Sequence, residues 1–394
     1  MSGEGAQVKT RPAPRHSAAR RGGVLPIARR WLEPSSRLQG DLPYFPWRGG
    51  RVGMEVPPWK RLSCQVEAIS AVVYAIQGVG SPPTMGLPQQ VVARYQHSEP
   101  VFGVVAPELL QDALLQMAKE NEQDLQELSD ETGCFKETQI VEFVFLLSEK
   151  WSLPELARYQ AIEIFERFML MVIQEFSISP RAEDDESNWV SLRKQIGDTY
   201  VLRLVSCIQL ASKISFHYST VNNTMVQRFL QSMGFSYTME DLLESELAIL
   251  KALHFQINVP NPLAYTELLL EVLEYNGCLL PMEQMYTMCH HQLLLTYLLQ
   301  GSIYNTLLKA SIENTSPNEL QLGKFSAVRK DLVLLAVGVI GASAFLLHTE
   351  GWSQVAENLS DITSISTQSI VEIVDAILKH SIDSTVGDSR SVPP

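Results

Sequence analysis

Beyond residue 100, apolar residues return every three or four positions, and the alternation of a strand is not found. The clearest stretch is Asp198 to Phe216. There Val201, Leu204, Val205, Ile208 and Ala211 share one helical face. Leu202, Cys207, Leu210 and Ile214 widen that face until most of the circumference is apolar, the pattern of a helix enclosed by others. One polar strip interrupts it, formed by Arg203, Ser206, Gln209 and Lys213. The pattern predicts a central buried helix with a polar seam.

The same periodicity predicts the other helices. The first starts near Ala106, with Pro107 at its first position, carries Leu110, Leu114, Met117 and Leu125 on one face, and ends at Gly133. Thr138 to Trp151 follows, with Ile140, Phe143, Val144, Leu147 and Trp151 in register. Ser152, followed by Pro154 and Glu155, reads as the cap of a helix reaching about residue 176. Ser177 to Ser187 is an acidic loop, and helices over Thr224–Met233 and Met239–Leu253 follow the central one. His254 to Pro262 is proline-punctuated and reads as a linker between lobes. Further helices are expected at Pro262–Glu274, Met282–Leu299, Ser302–Ala310, Val328–Leu347, Trp352–Asn358 and Thr367–Lys379. The fold class is therefore all-α, with two lobes of about five helices each.

Composition changes this picture at the ends. Residues 1–100 hold 11 Gly and 12 Pro, with 13 Lys and Arg against 6 Asp and Glu. Such a basic, Pro/Gly-rich extension is expected to be disordered, apart from a short helix or strand over Ser63–Gln77. Its Arg pairs read as a solvated tail, a localisation signal or an acid-binding arm. The net charge of the whole chain is nevertheless −13, so the folded part is acidic and direct nucleic-acid binding is not expected. Leu332 to Leu347 is the most apolar run, at 16 residues too short for the ~20 of a membrane span, and reads as a core helix. The final STVGDSRSVPP is expected to be disordered.

Candidate chemistry is sparse. The five cysteines are scattered and form no CxxC pair, which suits free thiols. Cys289-His290-His291 is the one Cys/His cluster, and adjacent residues on a helix point apart, so no metal site is expected. No phosphate-cradling loop or nucleophile motif occurs, and no catalytic or cofactor-binding residue is assigned. Glu163 and Glu166 read as a solvated charged face. Glu246 stands out, because it falls in the apolar row of Leu242, Ile249 and Leu253, with Leu243, Leu247 and Leu250 beside it. A carboxylate there either lies at the stripe's edge in solvent or has a partner.

Several of these runs resemble the cyclin family. LASKISFHYS, after an apolar helix, is similar to the third helix of a cyclin box, and ELAILKALHFQINVPNPLAY to its fifth helix and exit. IFERFM is similar to the second-helix motif. FGVVAPELLQDALLQMAKENEQ, QIVEFVFLLSE and KASIENTSP resemble one branch of the family. The resemblance covers residues 101–380 and implies an N-terminal helix over 101–133, a cyclin N-terminal box over 134–262 and a divergent second cyclin-like lobe over 263–380, leaving outside it the extension over 1–100 and the tail over 381–394 that composition reads as disordered.

It also implies a binding role. Cyclins grip a cyclin-dependent kinase with a Lys and a Glu at the positions of Lys213 and Glu246, and the resemblance makes these the partner-binding pair. The family's substrate-docking groove aligns with Lys136, Gln139, Ile140 and Phe143, where Lys136 and Gln139 replace apolar residues and degrade it. Glu137 and Glu166 stand where the family pairs an Arg with an Asp, a repulsive combination unless a third group intervenes. The branch resembled acts in meiotic crossover formation. The expectation is a non-enzymatic, cofactor-free nuclear protein on meiotic chromosomes, present also in the cytoplasm, whose partners are recombination proteins and which contacts no membrane. The alternative is a regulatory subunit that activates a cyclin-dependent kinase.

Overall fold

A computed structural model describes residues 101–126, 135–178, 186–215, 221–258, 260–311 and 319–388. Among these are twelve helices and no strand: α1 (Pro107–Gln126), α2 (Thr138–Lys150), α3 (Glu155–Ile178), α4 (Glu186–Ser215), α5 (Asn223–Ser232), α6 (Met239–Ala252), α7 (Pro262–Tyr275), α8 (Met282–Ser311), α9 (Glu319–Lys330), α10 (Leu332–Leu347), α11 (Trp352–Thr363) and α12 (Thr367–Asp388). The expectations for residues 1–100, Gly133 and the last residues of the tail lie outside the described residues. None of the described helices is long and apolar enough to cross a membrane.

Helix α4 is the hub of the first lobe and packs against α3, α5 and α6, while α2 closes on α3. Val201, Leu204, Val205, Ile208 and Ala211 are all buried, as their spacing predicts. In the second lobe α10 holds the corresponding place, against α7, α8, α11 and α12. It is buried on nearly every side from Leu332 to Ala344. Gly338 and Gly341 let α12 approach, since a Cβ would lie 2.9 Å from Ile373 Cγ1 in one case and 2.5 Å from Val374 Cγ2 in the other.

The helix ends carry their own chemistry. Thr238 and Asp241 form a reciprocal capping box on α6, and Asn261 accepts from the Leu263 amide beside Pro262 at the start of α7. Helix α1 lies on the second lobe, against α7, α9 and α10. Its Asn121 accepts from the amides of Leu332 (3.1 Å) and Val333 (3.4 Å), which the first turn of α10 would otherwise leave bare. Just before α1, the Glu271 carboxylate accepts the amides of Gly103, Val104 and Val105 at 2.7, 2.9 and 2.8 Å. Phe102 packs on Tyr286 beside it.

Several boundaries differ from the sequence reading. Ser152 is not a helix cap: at φ 51° it ends α2 in a left-handed turn, with its amide on Glu149 O and the Leu153 amide on Ser148 O. Helix α4 begins at Glu186 rather than Asp198. Helix α8 runs unbroken through Gly301, because buried Tyr297, Ile303 and Tyr304 outweigh the ~1 kcal/mol that glycine costs a helix. The expected single helix over Val328–Leu347 is two, divided at Asp331, whose side chain accepts the Leu334 amide. Helix α12 continues to Asp388, into the stretch read as tail.

Candidate partner-binding surface

The polar seam of α4 is used along its whole length. Arg203 Nη1 donates to Ser245 O at 3.0 Å, and the Ser206 and Ser245 hydroxyls meet at 2.8 Å. Gln209 Nε2 donates to Val221 O at 3.1 Å and Asn223 Oδ1 at 2.5 Å, which fixes the approach to α5. At the last turn Lys213 Nζ donates to Glu246 Oε1 at 2.5 Å. The seam therefore seats α6 at Ser245 and Glu246 and α5 between them, and the two contacts at Ser245 set the register that brings Glu246 to Lys213.

This pair is unequal in exposure, 39% for the Lys213 side chain and 11% for that of Glu246. The carboxylate sits in its apolar row because an ammonium reaches over it, so Glu246 has a partner, the second of the two possibilities its position left open. Ion pairs this open contribute little to stability, about 0–1 kcal/mol. What the geometry offers is valence. Lys213 retains two N–H donors and Glu246 retains Oε2, which takes no donor among the described residues.

Apolar side chains next to the pair along α4 and α6 stand open to solvent. Ile214 is 40% exposed, Leu243 52% and Leu247 43%, whereas Leu242, Ile249 and Leu253 are buried. The two rows of α6 were not separable by spacing alone, since only contact with α4 decides which one turns inward. Past the end of α6, Phe255 is 64% exposed with φ 63°, following His254 at φ 50°. Two successive non-glycine residues in the left-handed region are costly, so presentation of this ring to solvent is enforced by the surrounding fold. The sequence reading missed Phe255, and no local signal marks it.

The residues aligned with the docking groove are elsewhere and mostly enclosed. Ile140 and Phe143 are core residues and Lys136 is buried, leaving Gln139 as the partly accessible one. Lys136 Nζ is 2.6 Å from both oxygens of Glu163, which also accepts the Tyr297 hydroxyl at 2.8 Å. Gln300 donates to Lys136 O and Thr138 to Leu298 O, so this network joins the two lobes. The solvated face expected for Glu163 and Glu166 is thereby corrected, since both are buried. Glu166 accepts the Phe135 amide at 3.0 Å. Partial burial pushes the Glu137 carboxyl up.

The Cys/His run is likewise occupied by packing. Burial pushes the Cys289 thiol up to about 12, against a hydrogen bond to Ser343, and His290 pairs with Glu155. Among the described residues no group of three or more His, Cys, Asp or Glu is placed to hold a metal ion.

Over 298 residues the chain is 52% identical to mouse cyclin N-terminal domain-containing protein 1, an alignment that covers 74% of this chain and 89% of the mouse protein. With the human protein of that name the identity is 51% over 299 residues, 74% of this chain and 91% of the human one. The chain belongs to the cyclin N-terminal domain-containing protein 1 family. No family model matches the chain. Membership makes this a cyclin-like protein, as its all-helical fold and its LASK run suggested, and a cyclin-like protein is the frame in which the Lys213–Glu246 surface is to be understood.

Proposed function

We propose that this cyclin-like chain is a non-catalytic regulator of meiotic recombination, which promotes crossover designation and maturation by binding other proteins in the nucleus. Supporting the regulatory part is its kinship with cyclin N-terminal domain-containing proteins. Supporting the meiotic part is the resemblance of its sequence to the branch that acts in crossover formation. The observation that carries the binding mechanism is the Lys213–Glu246 pair, half open and bordered by Ile214, Leu243 and Leu247. Exposed apolar side chains around unspent charge-assisted donors and acceptors form a surface suited to a partner helix and its backbone ends.

The same pair favours a second reading, in which the partner is a cyclin-dependent kinase and the chain is its activating subunit. Both are tested by affinity purification from meiotic tissue, comparing wild type with the Lys213→Glu/Glu246→Lys swap. The swap keeps the attraction within the chain and inverts what a partner meets. Recovery of recombination proteins by the wild type and their loss with the swap is the expected result. A kinase whose activity rises with the wild type alone supports the second reading. An unchanged partner set with the swap removes this surface from both.

A further inference from the structure

A cleft between the lobes, partly open to solvent, is lined by Lys136, Glu163, Glu166, Arg167, Pro260 and Arg329, among others. It lies apart from the Lys213–Glu246 surface. Its acids are engaged: Glu163 holds Lys136 at 2.6 Å, Glu166 takes the Phe135 amide, and Asp124 interacts within the chain. Among the described residues neither Arg167 nor Arg329 forms an ion pair. Arg167 Nη1 donates to Gln256 O at 3.2 Å, and Arg329 lies 5.9 Å from the centre of the Tyr304 ring.

We propose that this cleft binds a phosphate monoester carried by a phosphorylated segment of a partner protein, with Arg167 and Arg329 as its anchoring groups. A guanidinium presents a planar fork that takes two oxygens, and two such forks, one from each lobe, match the several acceptor oxygens of a phosphate better than the two of a carboxylate. Leu170, Pro260 and Leu332 add apolar wall to the same cleft, which flanking peptide covers and a free phosphate leaves bare. Because Arg167 belongs to α3 and Arg329 to α9, the bound group also fastens the first lobe to the second.

The test is fluorescence anisotropy on the full chain with three probes: a peptide pool fixed at one phosphoserine, its unphosphorylated twin, and inorganic phosphate as competitor. The phosphorylated pool is expected to bind, and Arg167→Ala or Arg329→Ala to weaken it about tenfold each, the loss of one charge-assisted pair. Arg→Lys at either position keeps the charge without the fork, and is expected to bind between wild type and alanine. It also serves if an alanine variant does not fold. Lys309→Ala, exposed and outside the cleft, is expected to bind as wild type does. Equal binding of the unphosphorylated twin, no binding of the pool, or wild-type affinity in all the arginine variants overturns the proposal. Inorganic phosphate binding as tightly as the peptide overturns the peptide source and assigns a free anion.

Discussion

Lys136 and Glu163 form a two-oxygen ion pair at 2.6 Å, with each side chain about 10% exposed, at the seam where the first lobe meets α8. Loss of one member strands the other as a buried charge, which costs ~3–5 kcal/mol. Lys136→Met and Glu163→Gln are each expected to lower stability by about that amount. The double variant should recover most of it, since the introduced amide oxygen would still accept from Tyr297 while no charge is left uncompensated. Urea denaturation measures the three. Additive losses in the double variant would show that the two side chains are not coupled.

Two glycines of similar helical setting should respond oppositely to alanine. At Gly341 the new Cβ would lie 2.5 Å from Val374 Cγ2, and overpacking of this kind costs ~1–3 kcal/mol. At Gly301 nothing stands within 4 Å, so alanine should gain ~0.5–1 kcal/mol through helix propensity. Thermal melts followed by circular dichroism give both signs. Val374→Ala in the Gly341→Ala background should restore part of the loss, and its failure would locate the strain elsewhere.

Asp331 supplies a pH-dependent contribution of defined sign. Burial pushes its carboxyl above the ordinary value of 3.8, against hydrogen bonds from Leu334 and Asn121. A raised folded-state value means stability that is fully present below the unfolded value and is lost as pH rises through the folded one. Asp331→Asn keeps the oxygen that caps Leu334 and receives Asn121 but carries no charge to desolvate. It is expected to be at least as stable as wild type at neutral pH, with a flatter profile from about pH 4 upward. A destabilised variant at neutral pH would mean that the charge itself is needed at the α10 cap.

Glu271 anchors the residues that lead into α1 through three amides. Glu271→Ala should release Gly103 to Val105, seen as faster amide hydrogen exchange there while the α10 amides keep their protection. Glu271→Gln, with one acceptor oxygen, is expected to fall between. Unchanged exchange at Gly103 in the alanine variant would show that Phe102 and α1 hold the segment without the carboxylate.

Much of the helical framework was legible in the chain, because a helix encodes its buried face at a fixed period. Val201 to Ala211 and the run from Leu332 to Leu347 announce the hubs of the two lobes by being apolar on too many sides to face water. Caps were less legible. Ser152 has the composition of an N-cap, yet it is consumed in closing the helix before it, and only the backbone angle distinguishes the two uses. Gly301 and Asp331 reverse each other's expectation, since a glycine is tolerated where flanking side chains are buried and an aspartate divides a helix where it can take an amide.

The sequence by itself determined that this protein is all-α, that α4 carries a polar seam, and that Glu246 needs an explanation. These follow from spacing along one element, which is a local property. The resemblance named Lys213 with Glu246; only the tertiary structure decided that their charged ends meet, that Leu243 and Leu247 face solvent while Leu242 and Ile249 do not, and that Lys136 is enclosed with Glu163. Each of those outcomes depends on which surface of a second helix is brought near, and the period of one helix holds no record of its neighbour's register.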